Sequence, residues 1–398
     1  MDVKNGTGGV EMNKIVYKER KNTDSMKWDG CKEKFGEENL LPLWVADMDF
    51  EVPLCVKEAL MEYINVGVFG YYQPSKEYEE AFIRWEETYH NYKVSREWIR
   101  FSPGVVPAFN WLIHILTKEN DSVIIMPPVY YPFRDAIVNN HRTLVESPLL
   151  RTENGYVIDY EDFEEKIKTN DVKVFIFCSP HNPVGRVWKR EEIQRVMDIC
   201  KKYNVYVISD EIHQDIIMKG YEQIPAAITG DYDEILVTLT AATKTFNLAA
   251  CQNSILIIPD EKLRGMYDEY LGRLRIKGGN AFGYIAVQSA YEHGRAWLEE
   301  ILAVIESNYN LLRKRLEEEL PEMWISDLEG TYLMWIDLSN YLKREKIEQV
   351  LQDQCGLAVD YGAWFCGNGH EGFIRVNLAT RQENIEMVAQ KLVEAFKR

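Results

Sequence analysis

Five short apolar runs recur through the middle of the chain: SVIIM (122–126), VKVFIFC (172–178), NVYVIS (204–209), EILVTL (234–239) and SILII (254–258). Each is rich in β-branched residues and lacks polar alternation, which predicts strands buried on both faces. Residues 190–202, between the second and third runs, have the amphipathic spacing of a helix. Strand, helix, strand in that order is a βαβ unit, so the pattern predicts an α/β fold with a mostly parallel sheet covered by helices.

The flanks are patterned differently. Residues 1–11 are polar and glycine-rich and read as a loose tail. LPLWVADMDF (41–50) is apolar but interrupted by two aspartates, which suits a strand end entering a turn and a substrate site equally well. Pro53 opens a helix through Ile64, VGVFGYYQP breaks it, and Ser75 is placed to cap a second helix reaching Asn91. FSPGVVPAFNWLIHIL (101–116) is a glycine turn feeding an apolar helix. After a break at KGGNAFG, Ala281 to Leu320 reads as long helices, followed by strand candidates TYLMWIDL (331–338) and GFIRVNL (372–378). Thr380 and Glu383 have the spacing of a capping box for the last helix. The expected organisation is an arm, 1–50, joining a small αβ domain at 286–398, with a large domain at 51–285 between them.

Composition narrows the function. The chain has 398 residues and a formal net charge of −17, which argues against nucleic-acid or anionic-membrane partners. No apolar run approaches the ~18 residues of a membrane span, and no signal-peptide core opens the chain, so a soluble, cytoplasmic protein is expected. Seven cysteines without a CxxC pair indicate neither a disulfide framework nor a metal site. Cys178 and Cys200 read as core.

The chemistry-bearing residues gather at predicted strand ends: PPVYYPF, SPHNPVGRVW, SDEIHQD and AATKTFN. In such sheets ligands collect at the carboxyl ends of strands. Lys244 is expected in a short loop between two buried strands. With Asp210, Asn182, Tyr130 and the helix start at Gly104 it makes up the parts needed to hold pyridoxal 5′-phosphate (PLP). The lysine would condense with the aldehyde, the aspartate would pair with the pyridine nitrogen, and the helix terminus would take the phosphate. Plainer readings exist for each: Asp210 as a helix cap, Asn182 as a turn residue, Tyr130 as core, and Tyr71 with Tyr72 as packing or a subunit contact.

SPHNPVGR, SDEIH, TKTFN and FIRVNLAT, in this order, resemble the class I/II aminotransferase family of fold type I PLP enzymes. PLWVADMDF, FGYY, SPGVVPA, PPVYYPF and TKTFNLA are more similar to its MalY/PatB-type cystathionine β-lyase branch. The resemblance implies an aspartate aminotransferase-like large domain with a seven-stranded sheet. It also implies a homodimer in which Tyr71 reaches the partner's cofactor phosphate. Carried over by motif, Lys244 is the cofactor lysine and proton shuttle, Asp210 the pyridinium partner, Asn182 the ring-hydroxyl ligand and Tyr130 the stacking ring. Gly104 with Val105 forms the phosphate turn, and Arg375 grips the substrate α-carboxylate. The chain departs from many transaminases at Ala241 and Gln252, where serine and arginine bind phosphate, which shifts that task to the helix terminus, Thr243 and Tyr71. His213 stands where many transaminases have tyrosine. The expected activity is a carbon–sulfur β-lyase acting on cystathionine or other S-substituted cysteines. An aminotransferase is the alternative, and a regulatory protein using PLP as a structural ligand is a third reading.

Overall fold

The computed structural model describes residues 15–365 and 367–397. The tail at 1–11 and Cys366 lie outside the described residues. The central sheet is formed by β1 (Ile99–Ser102), β2 (Ser122–Ile125), β3 (Thr143–Glu146), β4 (Val172–Cys178), β5 (Tyr206–Asp210), β6 (Leu236–Thr240) and β7 (Ser254–Ile257). Its spatial order is β1-β7-β6-β5-β4-β2-β3, and β7 alone runs antiparallel to its neighbours. All five predicted strands are present. β1 and β3 were not predicted: they are short edge strands, half-buried and mixed in polarity, without the continuous apolar signature of the interior.

That signature follows from burial on both faces. Val174, Ile176 and Cys178 of β4 join one core with Ile208 and Leu239, while Phe175 and Phe177 join another on the opposite side. Among the helices that carry apolar faces are α1 (Leu54–Val66), α2 (Lys76–His90), α3 (Val105–Leu116), α4 (Arg190–Lys202), α5 (Ala242–Thr245), α6 (Ala281–His293), α7 (Arg295–Glu319) and α8 (Gln382–Phe396). α3 covers the first face and α4 the second. α2, α6, α7 and α8 enclose a third core that reaches β7.

Beyond α7 a second, four-stranded sheet is built from β8 (Trp324–Ile325), β9 (Leu333–Asp337), β10 (Asp360–Tyr361) and β11 (Phe373–Asn377), in the order β8-β9-β11-β10. Leu41–Pro42 pairs in parallel with Leu357–Ala358, which ties the N-terminal segment to this region.

Two predicted caps are corrected. Ser75 precedes α2, but its hydroxyl faces Gln288 Oε1 at 3.4 Å instead of capping the helix. α8 begins at Gln382 after an uncapped Arg381, so no capping box forms. Thr380 is fully buried, its hydroxyl accepts from Asn384 Nδ2 at 2.8 Å, and its carbonyl accepts from Asn308 Nδ2 at 2.7 Å. The two groups a box would use, the Thr380 hydroxyl and N–H, are engaged by the Asn384 side chain and by Leu378 O at 2.9 Å.

Phe246, directly after α5, packs at ring-centroid distances of 5.5 Å from Trp85 and 6.1 Å from both Tyr291 and Trp297. It is wholly buried. Phe246→Ala is expected to destabilise the protein by about 3–5 kcal/mol, through lost transfer free energy and the cavity left behind, as measured by the shift in denaturant midpoint.

Candidate active site

β6 is buried along its whole length, and the chain then turns into α5, a single helical turn that carries Lys244. The expected loop is therefore a four-residue helix. Thr245, beside the lysine, anchors it: its hydroxyl donates to Asp215 Oδ2 at 2.7 Å. Asp215 Oδ1 receives Trp85 Nε1 and lies 2.8 Å from His90 Nε2. Burial works against charge on His90, but Glu86 and Asp215 outweigh it and raise the imidazole to about 9. A charged pair thus lies buried behind the lysine turn.

Lys244 Nζ donates to Ala46 O at 2.5 Å. Burial lowers the amine to about 8; Arg375 pushes the same way, and Asp47 and Asp210 oppose. Asp210 closes β5, and burial lifts its carboxyl to about 7 against the Ile212 N–H and the Lys244 charge. It has no ion-pair partner among the described residues. His213 is held well below its ordinary value by burial, with the Lys244 and Arg375 charges adding to the effect. Its ring lies 5.8 Å from that of Tyr332, and its Nδ1 is buried without a partner.

Asn182 and Arg375 meet directly, with Nη1 donating to Oδ1 at 3.0 Å. Asn182 O accepts from Tyr130 N at 3.1 Å, so the loops after β2 and β4 are tied together beside the arginine. The Tyr130 hydroxyl is pushed up by burial, first of all, with Tyr131 adding and Arg375 opposing. After the edge strand β1, whose Ser102 pairs with Ser254 of β7, Gly104 precedes α3 in an extended conformation and no side chain caps the helix. Its first free N–H groups belong to Val105 and Val106, because Pro107 has none and Ala108 N already donates to Gly104 O. Thr243 is buried in α5.

Tyr71 does not join this group within the chain. It is fully exposed on the loop after α1 and lines a cleft of about 850 Å³ with Tyr63, Phe69, Arg275, Lys277 and Phe282. Trp364 packs against Tyr361 and carries the Lys34 ammonium 4.0 Å above its ring.

The segment at 44–50, whose sequence suits a strand end or a substrate site equally well, serves the site through its backbone. Trp44 O accepts from Arg375 Nη2 at 2.9 Å, and Ala46 O takes both Lys244 and the Tyr332 hydroxyl. Asn377 Nδ2 holds Val45 O and Asp47 O, and Asn247 Nδ2 holds Met48 O and Phe50 O. Its aspartates had marked the segment, but nothing in the pattern says that its carbonyls are what the site uses. Asp360 went unremarked in the sequence pattern and pairs with Arg375.

With this geometry in hand, the chain belongs to the class I and II aminotransferase family, whose profile matches residues 38–392. It is 39% identical over 387 residues to cystathionine beta-lyase PatB of Bacillus subtilis (strain 168), covering 96% of this chain and 100% of that protein. Cystalysin from Treponema denticola, solved with its pyridoxal 5′-phosphate cofactor, superposes with a TM-score of 0.91 at 36% identity, covering 96% and 98% of the two chains. The PLP-bound C-S lyase from Staphylococcus hominis gives a TM-score of 0.91 at 34% identity, with 98% and 99% covered.

The buried pair behind the lysine turn carries a pH signature. His90 is raised in the fold from 6.5 to about 9, so its stabilisation is complete below the lower value and lost as pH rises through the higher. Unfolding free energy measured across that window should fall in the native protein and lose this slope in His90→Gln. The variant should also be less stable below the window, by about 3–5 kcal/mol, because Asp215 loses its buried partner.

Proposed function

We propose that this protein is a PLP-dependent carbon–sulfur β-lyase that cleaves cystathionine or related S-substituted L-cysteines to a thiol, pyruvate and ammonia. The observation that carries the cofactor assignment is Asp210: a buried carboxylate with no ion pair among the described residues, at the end of β5, under the influence of an amine whose pKa is lowered. A protonated pyridine nitrogen is the partner such a carboxylate lacks. The uncapped N-terminus of α3 offers N–H groups and a positive dipole end for the phosphate. Asn182 keeps its amide nitrogen for the ring hydroxyl, since only its Oδ1 is engaged with Arg375. The residues present fit the cofactor.

Bound there, the cofactor supplies an electron-withdrawing ring to the substrate's α-carbon. The chain's own residues do the rest. Asp210 holds a proton on the ring nitrogen. Lys244, partly unprotonated near neutrality, takes the proton from Cα. Arg375 fixes the α-carboxylate with a planar fork, and Asn182 steadies that fork. The C–S bond then breaks with the electron pair leaving on sulfur, and the released enamine hydrolyses to pyruvate and ammonia. Tyr130 would stack on the ring, His213, held neutral by burial, would face its hydroxyl, and Thr243 would add a donor to the phosphate.

The functional unit in this reading is a cytoplasmic homodimer, with the described parts of residues 1–50 and 286–398 forming the smaller domain. α1 and the loop after it expose Met61, Val66, Val68, Phe69 and Tyr71, an apolar surface that a partner subunit would cover. Tyr71 would reach the partner's phosphate site.

Assaying a panel of L-amino acids for pyruvate, thiol and keto acids together tests the reaction class. Pyruvate with stoichiometric thiol is expected, whereas keto acids without thiol would mean transamination. Lys244→Ala should lose at least 10²–10⁴-fold in rate and the borohydride-trapped adduct on its peptide, read by mass spectrometry. Arg375→Lys should raise KM roughly tenfold to a hundredfold, the loss of a charge-assisted fork. Lys244→Ala and Tyr71→Ala subunits, each inactive alone, should recover about a quarter of native activity on mixing, because half the dimers then carry one intact site. No recovery would remove Tyr71 from the partner's site.

A further inference from the structure

The arginine assigned to the substrate carboxylate already faces a carboxylate. Arg375 and Asp360 stand opposite each other in the antiparallel pairing of β10 with β11, and Nη2 donates to Asp360 Oδ2. Both are buried, at 3% and 1% exposure. Nη2 also reaches Trp44 O, and Nη1 reaches Asn182 Oδ1. Two polar atoms are left buried without partners: Nε of Arg375 and Oδ1 of Asp360.

Among the described residues Asp360 has only this one cation at ion-pair distance. The other groups acting on it are Lys34, from the helix Cys31–Phe35, the hydroxyls of Tyr130 and Tyr131 after β2, and Tyr361 on its own strand. Lys34 is exposed and rests on Trp364, so it does not balance a second buried negative charge. A substrate carboxylate docking on Arg375 would therefore put two anions on one guanidinium away from water. Like charges sharing a site cannot both stay ionised without cost, and one pKa is driven up.

We propose that Asp360 positions Arg375 and gives up its own charge when the substrate's α-carboxylate docks, so that binding takes up one proton from solvent. The proton goes to the Asp360 carboxyl, where Oδ1 has no partner to displace; no other bond is made or broken. The neutral acid leaves Arg375 free to pair with the substrate. The inference rests on the assignment of Arg375 to the substrate carboxylate. Burial already holds the Asp360 carboxyl at about 6, against Arg375 and Lys34, so the proton is available close to neutral pH. Docking raises that value further, so affinity is highest below it and falls as pH rises above it. The fall is about tenfold per pH unit until the bound-state value is passed.

The probe is 3-(methylthio)propionate, an S-methylcysteine without its amine, binding to the cofactor-loaded enzyme. Lacking an amine, it cannot condense with the cofactor or exchange an ammonium proton. Calorimetry above neutral pH, in two buffers of unequal ionisation enthalpy, should show uptake approaching one proton per site, with Kd rising about tenfold per pH unit. Asp360→Asn, which keeps shape and hydrogen bonding, should show neither effect and should bind the probe more tightly than the native protein at alkaline pH. Binding by the native enzyme without proton uptake overturns the coupling, as does an Asp360→Asn protein that keeps both effects. The native readout stands whether or not the variant folds. If Arg375→Gln binds the probe as well as the native enzyme, the carboxylate assignment itself fails, and the two failures are told apart.

Discussion

A lysine amine at the end of a buried strand must be kept partly uncharged and yet be held in one place, and the surrounding structure meets both demands. Burial supplies the first by making the ammonium costly, and the Ala46 carbonyl supplies the second by fixing the nitrogen. The turn beneath it is pinned by Thr245 to Asp215, whose charge is matched by His90. Positive charge is thus spent behind the lysine while negative charge is rationed in front of it. Asp210 and Asp360 are both raised by burial, so neither is an unconditional anion.

The segment at 44–50 connects this lysine to the arginine that faces the substrate. Its carbonyls are taken from two sides: those of Trp44, Val45 and Asp47 by Arg375 and Asn377 on β11, and those of Ala46, Met48 and Phe50 by Lys244 and Asn247 after β6. Asn247 has a left-handed backbone (φ 58°), a conformation asparagine tolerates better than most residues. Its amide also accepts from Met48 N at 3.0 Å, so one side chain satisfies three backbone groups of the segment. A backbone strap held in this way fixes the separation between proton-transfer group and carboxylate clamp, and through Asp47 it also brings a negative charge to bear on Lys244.

Much of this was legible in the chain. The interior strands were readable because strands covered on both faces need apolar side chains at every position, so β2 and β4 to β7 stand out as uninterrupted runs. The strand-end rule then pointed to Lys244, Asp210, Asn182 and Tyr130, and the structure brings Asn182 to Arg375 and sets Lys244 among Asp210, Asp47 and Arg375. The edge strands β1 and β3 were missed because half-buried edges carry mixed residues. The Thr380 spacing suggests a capping box, but the Asn384 side chain takes its hydroxyl and Leu378 O takes its N–H, an arrangement the Thr-x-x-Glu spacing does not encode.

Residue type and order by themselves determined the layered α/β architecture and the identity of the titratable groups, since both follow from local periodicity and from which side chains can carry a proton. Tertiary structure alone decided what those groups are worth. The lowered amine of Lys244, the raised carboxyls of Asp210 and Asp360 and the neutral His213 all arise from burial and from charges brought in by remote segments. Asp360 and Arg375 are fifteen positions apart in the chain and become partners only through strand register. Desolvation and through-space Coulomb interaction depend on three-dimensional surroundings, which local sequence pattern does not encode.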